Sequence, residues 1–499
     1  MTVFVASALM GAGKTRGFIE NIDPELNYIL AVPTIELGKD IVASMNEAGV
    51  EYEVINSDEN WKGSTKSRIS RALTEGREGC VLVITHKALT MMETDGYLSY
   101  YLSEWTIIVD EVPNLNNCAQ SRKIPFSTYD KLFKGLVQDH DDGRVAIAEG
   151  VPEYMLLDEL KKSITAGIEP AKIMFSGLLE QMAGINRKKS KSEVQLVKGE
   201  DHYVVTVADY HDYTKIIDWC KEFHVMGNGV EKTLFYQYVV AQGYDIKESR
   251  FTPGPFKYKA SVTLVPLFNT DRISKSKMEL MDDGTKAKRF DETCLGWKAM
   301  KKAIEYHQNE KVLVQCFKWM KGKNRFPFDD YKNVIVTPFD SRGVNKYRND
   351  YHRTVNVFHG NPDPIQARLE TKMLAMMGID IDEGRAAIEH ERFIEPMAQH
   401  IARTSIRNGI EQEEGIVVVL PTVDVAKRIE EVLQVECEID TSIMLNIPER
   451  APSKVKLKKA ERDQKMIELH SEGRTHKEIG EALGGVSTKT VQRALKKAA

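Results

Sequence analysis

Near the start of the chain, the run Ala8-Leu9-Met10-Gly11-Ala12-Gly13-Lys14-Thr15 combines the residue types that hold a polyphosphate. Glycines at 11 and 13 let backbone N–H groups converge on phosphate oxygens, and a helix start favours negative charge there. In such a loop the lysine reaches the β- and γ-phosphates and the threonine hydroxyl holds Mg2+. Gly11, Ala12, Gly13, Lys14 and Thr15 are therefore the expected nucleotide contacts. A second chemical signature, Asp110-Glu111, closes the apolar run of residues 105–109. Asp110 is suited to hold Mg2+ through water, and Glu111 to polarise the water that attacks a γ-phosphate. Together the two signatures point to hydrolysis of a nucleoside triphosphate rather than to binding alone.

Elements of a particular kind must carry these residues. Residues 3–6 form an apolar strand pattern ahead of the loop, and residues 16–21 a helical one behind it, stopping before Asp23-Pro24. Residues 28–32, 53–55 and 81–84 continue an alternation of strands with helical segments, the mark of a parallel sheet wrapped by helices. Ligands bind at the carboxyl ends of strands in such sheets, where Thr34, Thr85, His86 and Asp110 fall. Residues 116–219 depart from the pattern, with helical periodicity at 153–160 and 173–179, a basic run at 187–191 and a hairpin from Val194 to Val207 turning at residues 199–201. They are expected to form an insertion (117–218), helical with a β-hairpin, in a first lobe made of 1–116 and 219–255. Apolar strands at 311–316, 334–337 and 416–420 assign residues 256–447 to a second parallel-sheet lobe.

At 499 residues the chain exceeds one compact core, and 42% hydrophobic against 28% charged residues is an ordinary soluble composition. Six scattered cysteines lack metal-ligand spacing and fit a reducing compartment. No apolar run approaches the ~20 residues of a membrane span. A cleaved leader would take the phosphate loop with it, so a cytoplasmic location and no membrane partner are expected. Charge is uneven. Residues 450–499 hold 13 Lys and Arg against 6 Asp and Glu, a net of +7 in a chain of −4, so the remainder carries −11. A basic tail on an acidic body suggests contact with a polyanion. Residues 448–460 are expected to be a basic linker, and 461–499 three short helices. Thr475 and Glu478 form a capping box, glycines 484 and 485 a turn, and Ser487 caps the last helix.

In order along the chain, Ala8–Thr15, Pro33-Thr34-Ile35-Glu36-Leu37, Thr85-His86 and Asp110-Glu111-Val112-Pro113 resemble motifs I, Ia, Ic and II of superfamily 2 helicases. Thr337-Pro338-Phe339-Asp340-Ser341-Arg342-Gly343-Val344-Asn345 resembles motif V, and Gln399 to Arg407 resembles motif VI. The resemblance implies two RecA-like P-loop NTPase domains with ATP and Mg2+ between them. It implies strand contacts at Thr34, Thr85, Thr337 and Arg342, and nucleotide contacts at Gly343 and Gln399. Arg403 and Arg407, spaced for one helical face, are candidates for a transition-state arginine, with Arg403 the first choice. Where the family shows Ser-Ala-Thr, this chain has Phe223-His224-Val225-Met226-Gly227-Asn228-Gly229. The tail resembles resolvase- and transposase-type helix-turn-helix modules, which implies Thr488, Lys489, Gln492 and Arg493 as contacts to duplex DNA. The expected function is an ATP-dependent DNA helicase or translocase of a phage replication or recombination type, in the host cytoplasm. Single-stranded DNA would cross the lobes, with other replication proteins as partners. An ATP-gated DNA-binding regulator or origin-binding ATPase without strand separation, and an RNA helicase, are the alternatives.

Overall fold

Apolar and β-branched side chains at Val3, Val5 and Ala6 place the strand Thr2–Ser7 inside a seven-stranded sheet. A computed structural model describes residues 1–58, 64–75, 79–92, 98–185, 191–322, 325–338, 347–410, 412, 414–450 and 454–498. The strands of this first sheet run, in spatial order, Asp245–Glu248, Thr2–Ser7, Glu222–Gly227, Trp105–Asp110, Asn27–Val32, Val81–Thr85 and Tyr52–Ile55. Every pairing is parallel. All six residues of Trp105–Asp110 are buried, as expected for a central strand covered on both faces. The phosphate loop, Asn228 and the Asp110-Glu111 pair leave the carboxyl ends of three adjacent strands.

The second lobe is another parallel sheet, containing in order Val334–Val336, Val312–Cys316, Arg353–Val357, Ile416–Thr422, Val262–Asn269 and Cys437–Ile439. Two parallel-sheet α/β lobes thus match the expected fold class. The arrangement of their cores was not expected. Helices Pro364–Met377 and Ile381–Glu389 follow a second-lobe strand, yet Met373, Leu374, Met377 and Ile388 pack with Leu115, Phe235 and Tyr238 in the first-lobe core. In return, Leu9 and Met10 of the phosphate loop are buried among second-lobe residues Tyr258, Ile401, Ala402 and Ile406.

The insertion is a six-stranded antiparallel sheet with helices, not a lone hairpin. The expected hairpin forms its centre, Ser192–Lys198 against His202–Asp209 with Val194 opposite Val207. Its outer strands are two to four residues long, too short to show alternation in the sequence. Helix Glu169–Ile185 lays Met174, Phe175 and Leu178 on Val194, Val205 and Val207. The first-lobe core resumes at Tyr210, Tyr213 and Ile216, before the expected boundary at 219.

Residues 275–299 and 446–499 form a separate compact unit. In it, helices Lys454–Ser471, His476–Ala482 and Thr488–Ala498 enclose Met466, Ile479 and Val491. The capping box at Thr475 and Glu478 is present. Residues 454–460, expected as linker, are the first two turns of the first helix, because Lys, Leu and Ala after Pro452 are good helix formers. Thr488, Lys489, Gln492 and Arg493 are all exposed, on the face away from Val491. The basic run at 187–190 lies outside the described residues.

Candidate nucleotide-hydrolysis site

Gly11 and Gly13 adopt φ of 91° and 87°, a left-handed backbone that turns the loop back towards the helix Lys14–Glu20. No side chain caps that helix, so its first N–H groups face the loop. Lys14 is 7% exposed, and its Nζ donates to the carbonyls of Ala8 (2.8 Å) and Leu9 (3.2 Å). Burial lowers its pKa, and the charges of Glu111, Asp110 and Glu395 oppose that shift. The Thr15 hydroxyl lies 3.2 and 3.4 Å from the two carboxylate oxygens of Asp110. Burial, with the neighbouring charge of Glu111, pushes Asp110 up to about 7, while Lys14 and the Thr15 hydrogen bond pull it down. A hydroxyl and a carboxylate at this spacing are the hard oxygen donors that suit Mg2+.

Glu111 has φ of 64°, a left-handed conformation costing a non-glycine residue ~1–2 kcal/mol. That turn takes its side chain out of the strand line and towards the second lobe. Gln399 Nε2 lies 3.4 Å from Glu111 Oε2 and donates to Glu395 Oε1 at 2.9 Å. His86 Nε2 bonds the Asp110 carbonyl at 3.0 Å, tying the 81–85 strand end to the same turn. Beside these groups lies a cavity of about 490 Å3 lined by Glu111, Asn228, Gln366, Arg392, Glu395 and Gln399 among others.

The structure separates the two arginines. The helix carrying Gln399 ends at Ile401, and a short 3-10 turn at Ser405–Asn408 follows. The expected helical i, i+4 relation is therefore absent; Thr404, whose hydroxyl donates to the Ile401 carbonyl and accepts from Ile406 N, breaks it. Arg407 is the one placed on the loop, since a Cβ added to Gly11 would sit 2.6 Å from Arg407 Cγ. Its charge also reaches Lys14 and Asp110. Arg403 is 3% exposed, and its charge acts on His400.

Of the expected strand contacts, Thr34 and Thr85 cap helices, accepting from Leu37 N and Ala88 N at 3.2 Å each. Thr337 is buried and donates to the Val314 carbonyl. Arg342 and Gly343 lie outside the described residues. Sequence reasoning missed Glu395; it named His86 and Asn228 by place without giving either a part in the site. Glu395 carried a usable signal, standing four residues before Gln399 and hence on the same helical face.

No family model and no curated protein matches the chain. Among solved structures, it is similar to S. tokodaii Xpd4 at 12% identity, over 88% of this chain and 96% of that one, with a TM-score of 0.44. It is similar to S. cerevisiae Dbp5 bound to RNA and ADP BeF3 at 10% identity, over 88% and 85%, with a TM-score of 0.34. A third is the Mycobacterium smegmatis helicase Lhr bound to ssDNA and AMP-PNP, at 11% identity over 87% and 46%, with a TM-score of 0.37. Among the described residues no helix is long and apolar enough to cross a membrane.

Proposed function

We propose that this chain is a nucleoside triphosphatase of superfamily 2 helicase type that works on nucleic acid. One observation carries the reading. The Thr15–Asp110 pair at the phosphate loop is completed from the second lobe, by Arg407 over Gly11 and by Gln399 at Glu111. ATP is the assigned substrate, with its phosphates on Gly11, Ala12, Gly13, Lys14 and Thr15. Lys14 holds the β- and γ-oxygens, and its ammonium leaves the Ala8 and Leu9 carbonyls to do so. Thr15 and Asp110 would hold Mg2+, which when bound would neutralise charge on the phosphoryl oxygens. Glu111 orients the attacking water and accepts its proton. Arg407 faces the charge that develops on the transferred group, so hydrolysis requires the lobes to be together.

We assign DNA rather than RNA on the tail. Its last helix presents Thr488, Lys489, Gln492 and Arg493 in the manner of a recognition helix, on a segment of net positive charge. Thr34 and Thr85 retain hydroxyl protons at strand ends for contacts to a nucleic-acid backbone. A role in phage replication or recombination in the host cytoplasm is part of this reading. A DNA-binding regulator gated by ATP is the second reading, favoured by one feature: residues 223–229, where the resemblance places the motif that couples hydrolysis to unwinding, lack its Ser-Ala-Thr. The test is ATP turnover and strand displacement with single-stranded DNA, duplex DNA and RNA, with Lys14→Ala as the inactive reference. Turnover stimulated by DNA together with displacement supports the helicase; stimulation without displacement supports the regulator. Absence of turnover in the wild-type chain rejects both.

A further inference from the structure

The helix that brings Gln399 to the cleft is interrupted. Ile381–Glu389 and Glu395–Ile401 are α-helical, and His390–Ile394 between them is a π turn in which Glu395 N–H bonds the His390 carbonyl. Pro396 accounts for it. Proline has no N–H to give the carbonyl four residues back, and its ring crowds that carbonyl, so the chain widens by one residue. The widened turn sets the direction of Glu395. Its Oε1 accepts from Gln399 Nε2 at 2.9 Å, and its buried Oε2 faces His390 Nε2 at 4.0 Å, with the Asn228 amide beside it. About a fifth of the Glu395 side chain stays accessible, and it lines the same cavity as Glu111.

Gln399 therefore stands between two carboxylates, Glu395 at 2.9 Å and Glu111 at 3.4 Å, both approached by the same amide nitrogen. An amide has one donor end and one acceptor end, and a carboxylate accepts only. Glu111 by itself, at the longer distance and on a strained backbone, holds the amide weakly. The shorter bond to Glu395 decides which way the amide faces.

Resting on the hydrolysis reading above, we propose that Glu395 is a positioning residue: it fixes the flip of Gln399, and Gln399 in turn holds the Glu111 carboxylate where it meets the attacking water. Glu395 touches neither water nor phosphate in this scheme. Its oxygen as acceptor is what counts, and its charge is not.

The experiment uses the full chain and steady-state ATP turnover in the presence of DNA, with thermal melting as a check on folding. Glu395→Ala and Glu395→Leu remove the acceptor, the second without leaving a void. Both should lower kcat about tenfold and leave the KM for ATP within twofold of wild type. Glu395→Gln keeps a side-chain oxygen for Gln399 and should restore kcat to within twofold. Glu395→Leu added to Gln399→Ala should cost nothing beyond Gln399→Ala alone. Equal losses in Glu395→Gln and Glu395→Leu would assign the effect to charge and overturn the proposal. So would an unchanged kcat in Glu395→Leu, or additive losses in the double variant. A wild-type chain without ATP turnover removes the hydrolysis reading and this inference together, whereas an active wild type indifferent to residue 395 removes the inference alone.

Discussion

At the scale of single residues, position rather than residue type separates Arg407 from Arg403. Both are arginines, four residues apart in one motif-like run, yet one lies against Gly11 and the other is 3% exposed beside His400. Arg407→Ala should lower kcat by about a thousandfold, the scale of losing a transition-state arginine, with little change in melting temperature. Arg403→Ala should do the reverse, lowering the melting temperature by several degrees and kcat by much less; turnover and thermal melts of both variants check the pair. The loop, the Asp110-Glu111 pair and Gln399 were legible in the sequence because each has a fixed chemical neighbourhood a few residues wide. The choice of arginine was not, because it depends on where a helix ends, and Thr404 ends it through a local hydrogen bond that competes with the helical one. The left-handed Glu111 was equally hidden, since nothing in Val109-Asp110-Glu111-Val112 demands a positive φ.

Among the elements, the helical pair at 364–389 joins three parts of the chain and gives Gln366 and Ile388 to the cavity wall. It leaves the second lobe, packs into the core of the first, and meets the insertion through Lys372–Glu193 and Gln120–Asp363. Buried Glu370 is its polar centre, pairing with Arg392 and accepting from Asn116 and Gln366. Removing one member of a buried pair leaves the other uncompensated. Glu370→Ala should therefore cost ~3 kcal/mol in denaturant unfolding, and the double variant Glu370→Ala/Arg392→Ala should cost less than the sum of the two single losses. A second element-level device sits where the insertion rejoins the lobe. Asp209 is 2% exposed, accepts from Asn117 Nδ2, and is pushed by burial from 3.8 up to about 7, against the pull of Lys191. The folded chain thus keeps a proton that the unfolded chain gives up above about pH 4. By linkage, Asp209 subtracts from stability as pH rises from about 4 to about 7. Asp209→Asn should raise the melting temperature at pH 7, with the gain vanishing near pH 4. Periodicity showed the two long helices and the central hairpin of the insertion, but strands of two residues carry no period, and a helix docked on another lobe has the same amphipathic pattern as one docked on its own.

For the molecule as a whole, the proposed chemistry is divided between a body that carries the phosphate loop and a basic tail. Truncation after residue 450 should leave basal ATP turnover within about twofold while weakening duplex-DNA binding and flattening its salt dependence, since each lost phosphate contact removes about one unit of slope. Binding titrations at several salt concentrations check this. The two-lobe plan was readable from the order of strands and motifs, while the exchange of core residues between the lobes was not, because hydrophobic pattern says that a side chain is buried and not beside which partner. That exchange has a thermal consequence. Leu9 and Met10 sit in hydrocarbon from the far lobe, and Met373, Leu374 and Met377 sit in the near one, so prising the lobes apart wets oil on both banks. Such a seam carries a heat-capacity change and slackens in the cold. Calorimetric titration of nucleotide from 5 to 35 °C should give an enthalpy that climbs steeply with temperature wherever entry forces the seam open, so that the grip of one bank on the other is set by warmth.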